Sequence, residues 1–398
     1  MSEYFALLIG IIIGLAALLQ EDFVLTLLYF VVAAYALSRW WSGRALKAVV
    51  VKRIFNNRAF INDKVEIHIE VHNSGRLPVV WLRLHDSLPV ELSGSEIFRR
   101  VVGLGPHATQ RFTYTIQPPR RGYYQVGPLY LYSGDLLGMA EEEGRQGHID
   151  YLTVYPRVMS LTKIGLPSRS PMGTLHHHQP IFEDPSRVRG KRDYVAGDSL
   201  RRVDWKASAN LGRMQVKQFE PSIALETVIL LNLDRDDYYY RSRNDATELG
   251  IVVAASIANW ITAQKQTVGF ATNGADVQSM AADGRAPVLP TEKGRAHLMR
   301  ILDILARIQT TEKQTPFIQL LRRQRVHMAW GTTVILITGD VNDALFEELF
   351  IARRAGLDIV LILCGHVIAA DEIKHKAQHF GIQIQQFASE ADMDIWRR

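Results

Sequence analysis

TVILLNL, residues 227–233, is a run of β-branched and leucine side chains with no polar alternation until its end. A strand that reads this way is buried on both faces, as in a parallel sheet covered by helices. Similar runs return at 332–337 (TTVILI) and 358–363 (DIVLIL), and further strands read at 266–271 and 382–387. Helical patterns fill the intervals at 246–264, 291–309, 316–327, 342–354 and 371–379. Strands alternating with helices predict a doubly wound α/β domain over residues 226–398, with any ligand at the carboxyl ends of its strands.

Upstream the periodicity changes. VVVKRIF, KVEIHIEVHN, VVWLRLHDSL, QRFTYTIQP, YYQVGPLYLYSG and YLTVYPRV, between residues 49 and 158, alternate apolar with polar residues or are rich in aromatic and β-branched types. Breakers at Asn73-Ser74-Gly75, 103–106 and Gly127-Pro128 separate them. Short strands at this spacing predict a β-sandwich of immunoglobulin-like kind over residues 48–160. Residues 161–225 read as a linker and then a charged segment; His176-His177-His178 within the linker reads as an exposed loop, since adjacent side chains in an extended chain diverge.

The N-terminus is of another kind. Residues 4–19 and 23–37 are uncharged apolar runs separated by Gln20-Glu21-Asp22, and Trp40 and Trp41 come after the second. They predict a two-helix transmembrane hairpin over residues 1–47, with the tryptophans at the interface. The connecting loop is acidic, whereas Arg39, Arg44, Lys47, Lys52 and Arg53 lie beyond the second run. The positive-inside rule then puts both termini and the body on the cytoplasmic side of the cytoplasmic membrane. With 398 residues, a net charge of +5 and the single cysteine Cys364, the chain has room for several domains, is mildly basic and forms no intrachain disulfide. It carries no recognition motif for nucleic acid, and no Walker loop, GxSxG, HExxH or Rossmann fingerprint.

RVRGKRDYVAGDSLRRVDWKASANLGRMQVKQFE, residues 187–220, has neither strand nor helix periodicity. Gly197-Asp198 is a turn signal, Asp198 is placed to cap the next element, and Arg201, Trp205 and Ala209 fall at helical spacing. Arg192-x-Tyr194, then Gly197-Asp198-x-x-Arg201-x-Val203-Asp204-Trp205-Lys206-x-Ser208-Ala209, resembles the signature of the bacterial family called domain of unknown function 58. That pattern usually ends Ser-Ala-Arg, where this chain has Asn210. The resemblance implies two membrane helices, a β-rich domain, the signature, and a domain similar to von Willebrand factor type A. It also implies genomic company with MoxR-type AAA+ ATPases and transglutaminase-like membrane proteins.

Von Willebrand type A domains hold a metal ion with Asp-x-Ser-x-Ser, a threonine and a later aspartate. Asn232, Asp234 and Asp236 stand in the first of those places, Thr315 in the second and Asp340, within Thr338-Gly339-Asp340, in the third. Hard oxygen ligands suit Mg²⁺, and the same carboxylates without a cation repel one another, so either a metal or a degenerate site with Arg235 as substitute cation satisfies the pattern. Tyr238-Tyr239-Tyr240 beside Arg241 reads as an aromatic–cationic loop. The function expected is non-enzymatic: a membrane-anchored scaffold or adaptor that binds proteins, by resemblance a MoxR-type ATPase. Arg192, Tyr194, Gly197, Asp198, Arg201, Asp204, Trp205 and Lys206 would dock that partner or join the domains. The rival reading is a metal-dependent hydrolase built on the acidic cluster.

Overall fold

The computed structural model describes residues 10–11, 13–14, 22–93, 98–134, 141–162, 183–221, 226–276, 288–312 and 316–396. The chain divides into two units, Met1–Arg157 with Leu305–Arg307, and Val158–Ile304 with Ile308–Arg398.

In the first unit, helix α1 runs over Asp22–Lys47, and its 26 residues extend about 39 Å. Phe23, Tyr29, Phe30, Leu37 and Trp40 are exposed along it, whereas Ala45 and Leu46 in its last turn are buried in the core of the β-rich part. Trp41 donates its indole N–H to Pro78 O at 3.1 Å, pinning that end. Of the first apolar run, only residues 10, 11, 13 and 14 fall within the described residues, and all four are helical. By length and hydropathy the one candidate membrane span among the described residues is Arg243–Ala263. Its 72% burial makes it the core helix of the α/β unit instead.

Among the described residues of this unit, ten strands come after α1: β1 (Val49–Ile54), β2 (Arg58–Phe60), β3 (Val65–Asn73), β4 (Val79–Asp86), β5 (Arg99–Leu104), β6 (Thr109–Ile116), β7 (Gly122–Val126), β8 (Leu129–Gly134), β9 (Glu141–Gln146) and β10 (Asp150–Tyr155). They form sheets ordered β1-β3-β6, β2-β10-β7 and β5-β4-β8-β9. The predicted alternation is realised as one-sided burial: Val65, Ile67, Ile69 and Val71 of β3 face inward, as do Leu82 and Leu84 of β4, into one shared core. YYQVGPLYLYSG is two strands, with a cis Gly127–Pro128 bond between them. Within this unit Arg53 reaches Asp86 at 2.5 Å and Asp150 at 2.7 Å, and the Tyr114 hydroxyl donates to Asp86 at 2.6 Å. Burial first, and then the Asp86 carboxylate, hold the Tyr114 phenol well above its ordinary range.

The charged segment that comes after the expected linker forms regular structure, which its lack of periodicity does not signal. Strands β11 (Glu183–Asp193) and β12 (Gln215–Pro221) pair antiparallel into a two-stranded arm. Between them lie a 3₁₀ turn, Leu200–Arg202, and a two-turn helix, Trp205–Leu211. The three histidines at 176–178 lie outside the described residues.

In the rest of the second unit, β13 (Glu226–Leu231), β14 (Thr267–Thr272), β18 (Thr333–Thr338), β19 (Asp358–Cys364) and β20 (Gln383–Phe387) are parallel, and β16 (Val288–Glu292) joins the edge antiparallel. Two short strands, β15 (Ala275–Asp276) and β17 (Ile308–Gln309), pair apart from this sheet. The sheet order is β16-β14-β13-β18-β19-β20. Counted within the sheet this is the doubly wound 3-2-1-4-5-6, whose direction reverses between β13 and β18. Every residue of β18 and β19 is buried, as their unbroken apolar sequence requires. Helix Arg243–Ala263 packs on the sheet, with Gly250 lying over Leu231 and Ile337. The expected helix at 291–309 is shorter, Arg295–Arg307, because residues 288–292 are drawn into β16 and Gly294 at φ +101° turns the chain before the helix.

Candidate functional site

Two constellations carry the residues singled out in the sequence. The first is the arm. Arg192, at the end of β11, grips Asp198 with two bonds of 2.6 Å, and Asp198 also accepts from Val195 N at 3.0 Å. The loop 193–198 is thereby folded back on itself, with Gly197 at φ +109° supplying the turn that other residues resist. Asp198 therefore closes the loop and does not cap a helix; Ser199 precedes the 3₁₀ turn without a side-chain cap. The cap of the next helix is Asp204, which accepts from Ala207 N at 3.1 Å and pairs with Lys191 at 2.8 Å. Its carboxylate thus ties the helix to β11, while its backbone N–H donates to Gln215 O at 2.8 Å. Both carboxyls sit below the usual range: Asp198 through the hydrogen bond from Arg192 and then that from Val195 N, Asp204 through Lys191 and then Ala207 N.

Asp193, Arg213 and Gln215, which lie outside the signature positions, complete the arm together with Tyr194, Val203 and Ser208 of the signature. Asp193 receives Arg213 at 2.9 Å and the Gln215 side chain, and Ser208 Oγ bridges Asp204 O and Gln215 N, each at 2.8 Å. Tyr194 contributes its backbone N–H to Met214 O at 2.9 Å. Val203 is buried in a bridge to Val216, so the chain leaves helical geometry between the 3₁₀ turn and the helix. Arg201 and Trp205 therefore do not share one helix, contrary to their spacing. Arg201, Lys206 and Trp205 all face outward, the indole 66% exposed.

The second constellation lies at the carboxyl ends of β13, β14 and β18, where the sheet order reverses. Asn232 is fully buried and saturated. Its Nδ2 donates to Asp237 Oδ2 at 2.7 Å and Thr338 Oγ1 at 3.0 Å; its Oδ1 accepts from Asp234 N at 3.0 Å and Asn273 Nδ2 at 2.9 Å. Asn273 Oδ1 in turn accepts from Leu233 N at 2.7 Å, and the Tyr238 hydroxyl donates to Asn232 O at 2.6 Å. Gly339 makes this closure possible, since a Cβ there would stand 2.3 Å from the Tyr238 ring and 2.5 Å from Asp237 O. Asp234 is buried and caps Asp236 N at 3.2 Å, whereas Asp236 and Asp340 are exposed, Asp340 accepting from Val341 N at 2.8 Å.

This arrangement departs from the ligand set expected. Among the described residues no three Asp, Glu, His or Cys side chains converge to hold a metal ion. Asn232 has no lone pair left over, its oxygen being engaged twice by N–H donors. Thr315 lies outside the described residues. Arg235 turns away to Glu312, 2.7 Å distant, and it is the Asn232 amide that donates to a carboxylate. That carboxylate is Asp237, which lies outside the motif positions. Its carboxyl is pushed up, first by burial and then by the Asp234, Asp340 and Asp236 charges, against the opposing hydrogen bond from Asn232. Tyr238 is buried at the site, so the aromatic loop that reaches the surface is Tyr239 and Tyr240 with Arg241, whose Nε donates to the Tyr240 hydroxyl at 2.6 Å.

Comparison with known proteins bears on the arm most directly. Residues 190–363, from the arm into β19, match the model of the family described as protein of unknown function DUF58, the family the signature resembles. The chain is 22% identical to the uncharacterized protein YeaD of Bacillus subtilis over 310 residues, 76% of this chain and 72% of that one. Among solved structures, the CARDB domain of a Pyrococcus furiosus protein is similar over 27% of this chain and 91% of its own, at 17% identity and a TM-score of 0.21. The complex of human zinc 2-glycoprotein with prolactin inducible protein matches 26% of this chain and 93% of that chain, at 14% identity and a TM-score of 0.22.

Proposed function

We propose that the chain is a membrane-tethered scaffold that binds protein partners through its signature arm and has no catalytic centre of its own. The observation that carries this reading is the division of labour inside the arm. Arg192, Asp198, Lys191, Asp204, Asp193 and Arg213 are engaged with one another, so the signature's charges are used to set the loop's shape. That shape holds Leu200, Arg201, Trp205 and Lys206 outward. Exposed tryptophan beside arginine is the composition of a binding hot spot.

The tether is α1. Its exposed apolar side chains run from Phe23 to Trp40, about 27 Å along the axis, close to the thickness of a hydrocarbon core of about 30 Å. With the run at 4–19 it forms a hairpin in the cytoplasmic membrane, and the cations after Ser38 keep the body in the cytoplasm. The β-rich unit, immunoglobulin-like in its alternating strands, is the spacer. The α/β unit, with its 3-2-1-4-5-6 order, is von Willebrand factor A-like, and the Asn232 amide stands where such a domain holds its metal. The expected partner is a MoxR-type AAA+ ATPase, with a transglutaminase-like membrane protein in the same assembly, and the setting is assembly or envelope work.

The test is Arg201→Ala in the full chain. The proposal expects an unchanged melting temperature and loss of ATPase co-purification from detergent-solubilised membranes. A variant that melts lower and still retains the ATPase assigns the arm a purely structural role.

A further inference from the structure

We infer that the segment received by the arm is acidic: a stretch of polypeptide that lays an apolar side chain on the Trp205 indole and sets its Asp or Glu residues against Arg201 and Lys206. The inference rests on the docking reading above and adds the chemistry of the ligand.

The charge of the arm is the first ground. Between residues 183 and 221 it carries nine cations and six carboxylates. The three carboxylates nearest the exposed face are taken within the arm: Asp193 by Arg213, Asp198 by Arg192 and Asp204 by Lys191. The arm is therefore positive in balance, and Arg201 and Lys206 carry their charges on its exposed surface. Such a surface attracts carboxylates and repels basic partners.

Placement is the second ground. Ser208 is turned to β12, where its Oγ accepts from Gln215 N, and Lys206 stands on the side of the helix away from it. Trp205 and Ala209, four residues apart, share one line of the helix, and both are exposed. Ala209 is small and leaves the indole face open beside it. Leu200, from the 3₁₀ turn, is 60% exposed, and Val195 and Leu211 are exposed as well. Among the described side chains of the arm, exposed aliphatic residues outnumber the exposed indole. That mixture suits the side chains of a polypeptide better than the successive bases of a nucleic acid strand, which need stacked aromatic platforms.

The experiment uses the full chain in detergent micelles and two short fluorescent peptides. One alternates Asp or Glu with Leu and Phe; the other replaces each acid by its amide. The acidic peptide is expected to bind at least about tenfold more tightly than the amide peptide, and to weaken as salt rises. Trp205→Ala and the double change Arg201→Glu, Lys206→Glu are each expected to weaken it by about tenfold or more, with melting unchanged. Equal binding of the two peptides overturns the inference, as does full displacement of the acidic peptide by phosphatidylglycerol vesicles at matched charge. If neither peptide binds while Arg201→Ala still abolishes ATPase co-purification, the acidic ligand is refuted and the docking reading stands. If that co-purification is also unaffected, both fall.

Discussion

At the scale of single residues, Asn232 decides the chemistry of the α/β unit. An aspartate in its place would face the half-buried Asp237 at the 2.7 Å now spanned by an amide hydrogen bond, and two carboxylates at that separation do not both ionise. Asn232→Asp is therefore expected to destabilise the protein by roughly 2–4 kcal/mol at pH 7, because folding must either take up a proton or bring two carboxylate charges together, with Mg²⁺ restoring part of the loss. In the natural protein, calorimetric titration with Mg²⁺ or Mn²⁺ should give no heat and no thermal shift. Asp237 supplies a second prediction. Its folded-state pKa is raised, so the folded chain holds a proton that the unfolded chain releases at about 3.9. Stability from this group is fully present below that value and falls as pH rises through the elevated pKa. Asp237→Asn keeps an acceptor for Asn232 and removes the charge; thermal melts should lose that part of the pH dependence and show a higher Tm near pH 8. Asp198 and Asp204 run the other way: their depressed pKa values contribute above the usual carboxylate range, and the contribution is lost as pH falls below it.

At the scale of elements, the arm is a hairpin held by ion pairs and caps, with Val203, Gln215 and Val216 its buried side chains among those described. Arg192→Ala should open the 193–198 loop without touching the core sheet. Limited proteolysis within residues 193–202 is expected to accelerate severalfold while the main melting transition stays in place; equal proteolysis rates would assign the loop's order to something else. Loss of the cap in Asp204→Ala should speed amide exchange at Ala207 severalfold while exchange in β18 and β19 stays as it is. The arm also marks where the sequence stops being legible. Strands β13, β18 and β19 could be read because complete burial leaves an unbroken apolar run, and β3 because one-sided burial leaves alternation. The charges at the end of β11 pair with Asp198, Asp204 and Arg213 in the connection that comes after it, so no period appears. Asp237 and Asn273 escape notice for a related reason: the contact of Asn273 with Asn232 joins residues 41 apart, and only their shared position at strand ends signals it.

At the scale of the whole molecule, under the proposed function an apolar helix, a β-rich unit and an α/β unit carrying the arm would divide the tasks of anchoring, spacing and contact. The helix is expected to be separable: a chain lacking residues 1–40 keeps Trp41 on Pro78 and should move from the membrane to the aqueous fraction on sedimentation. The β-rich unit should tolerate that deletion, because Ala45 and Leu46, the helix residues buried in its core, are retained. Its sensitive point is Arg53. Arg53→Met, which strands buried Asp86, is expected to cost about 3–5 kcal/mol in a denaturant melt. The central claim, that the outward face of the arm grips another protein beside the membrane, is tested most directly by photo-crosslinking in intact membranes from a photo-reactive amino acid substituted at Trp205. The account predicts a covalent adduct with a AAA+ ATPase whose yield changes when ATP is added. An absence of protein adducts, or crosslinks to lipid alone, would contradict it.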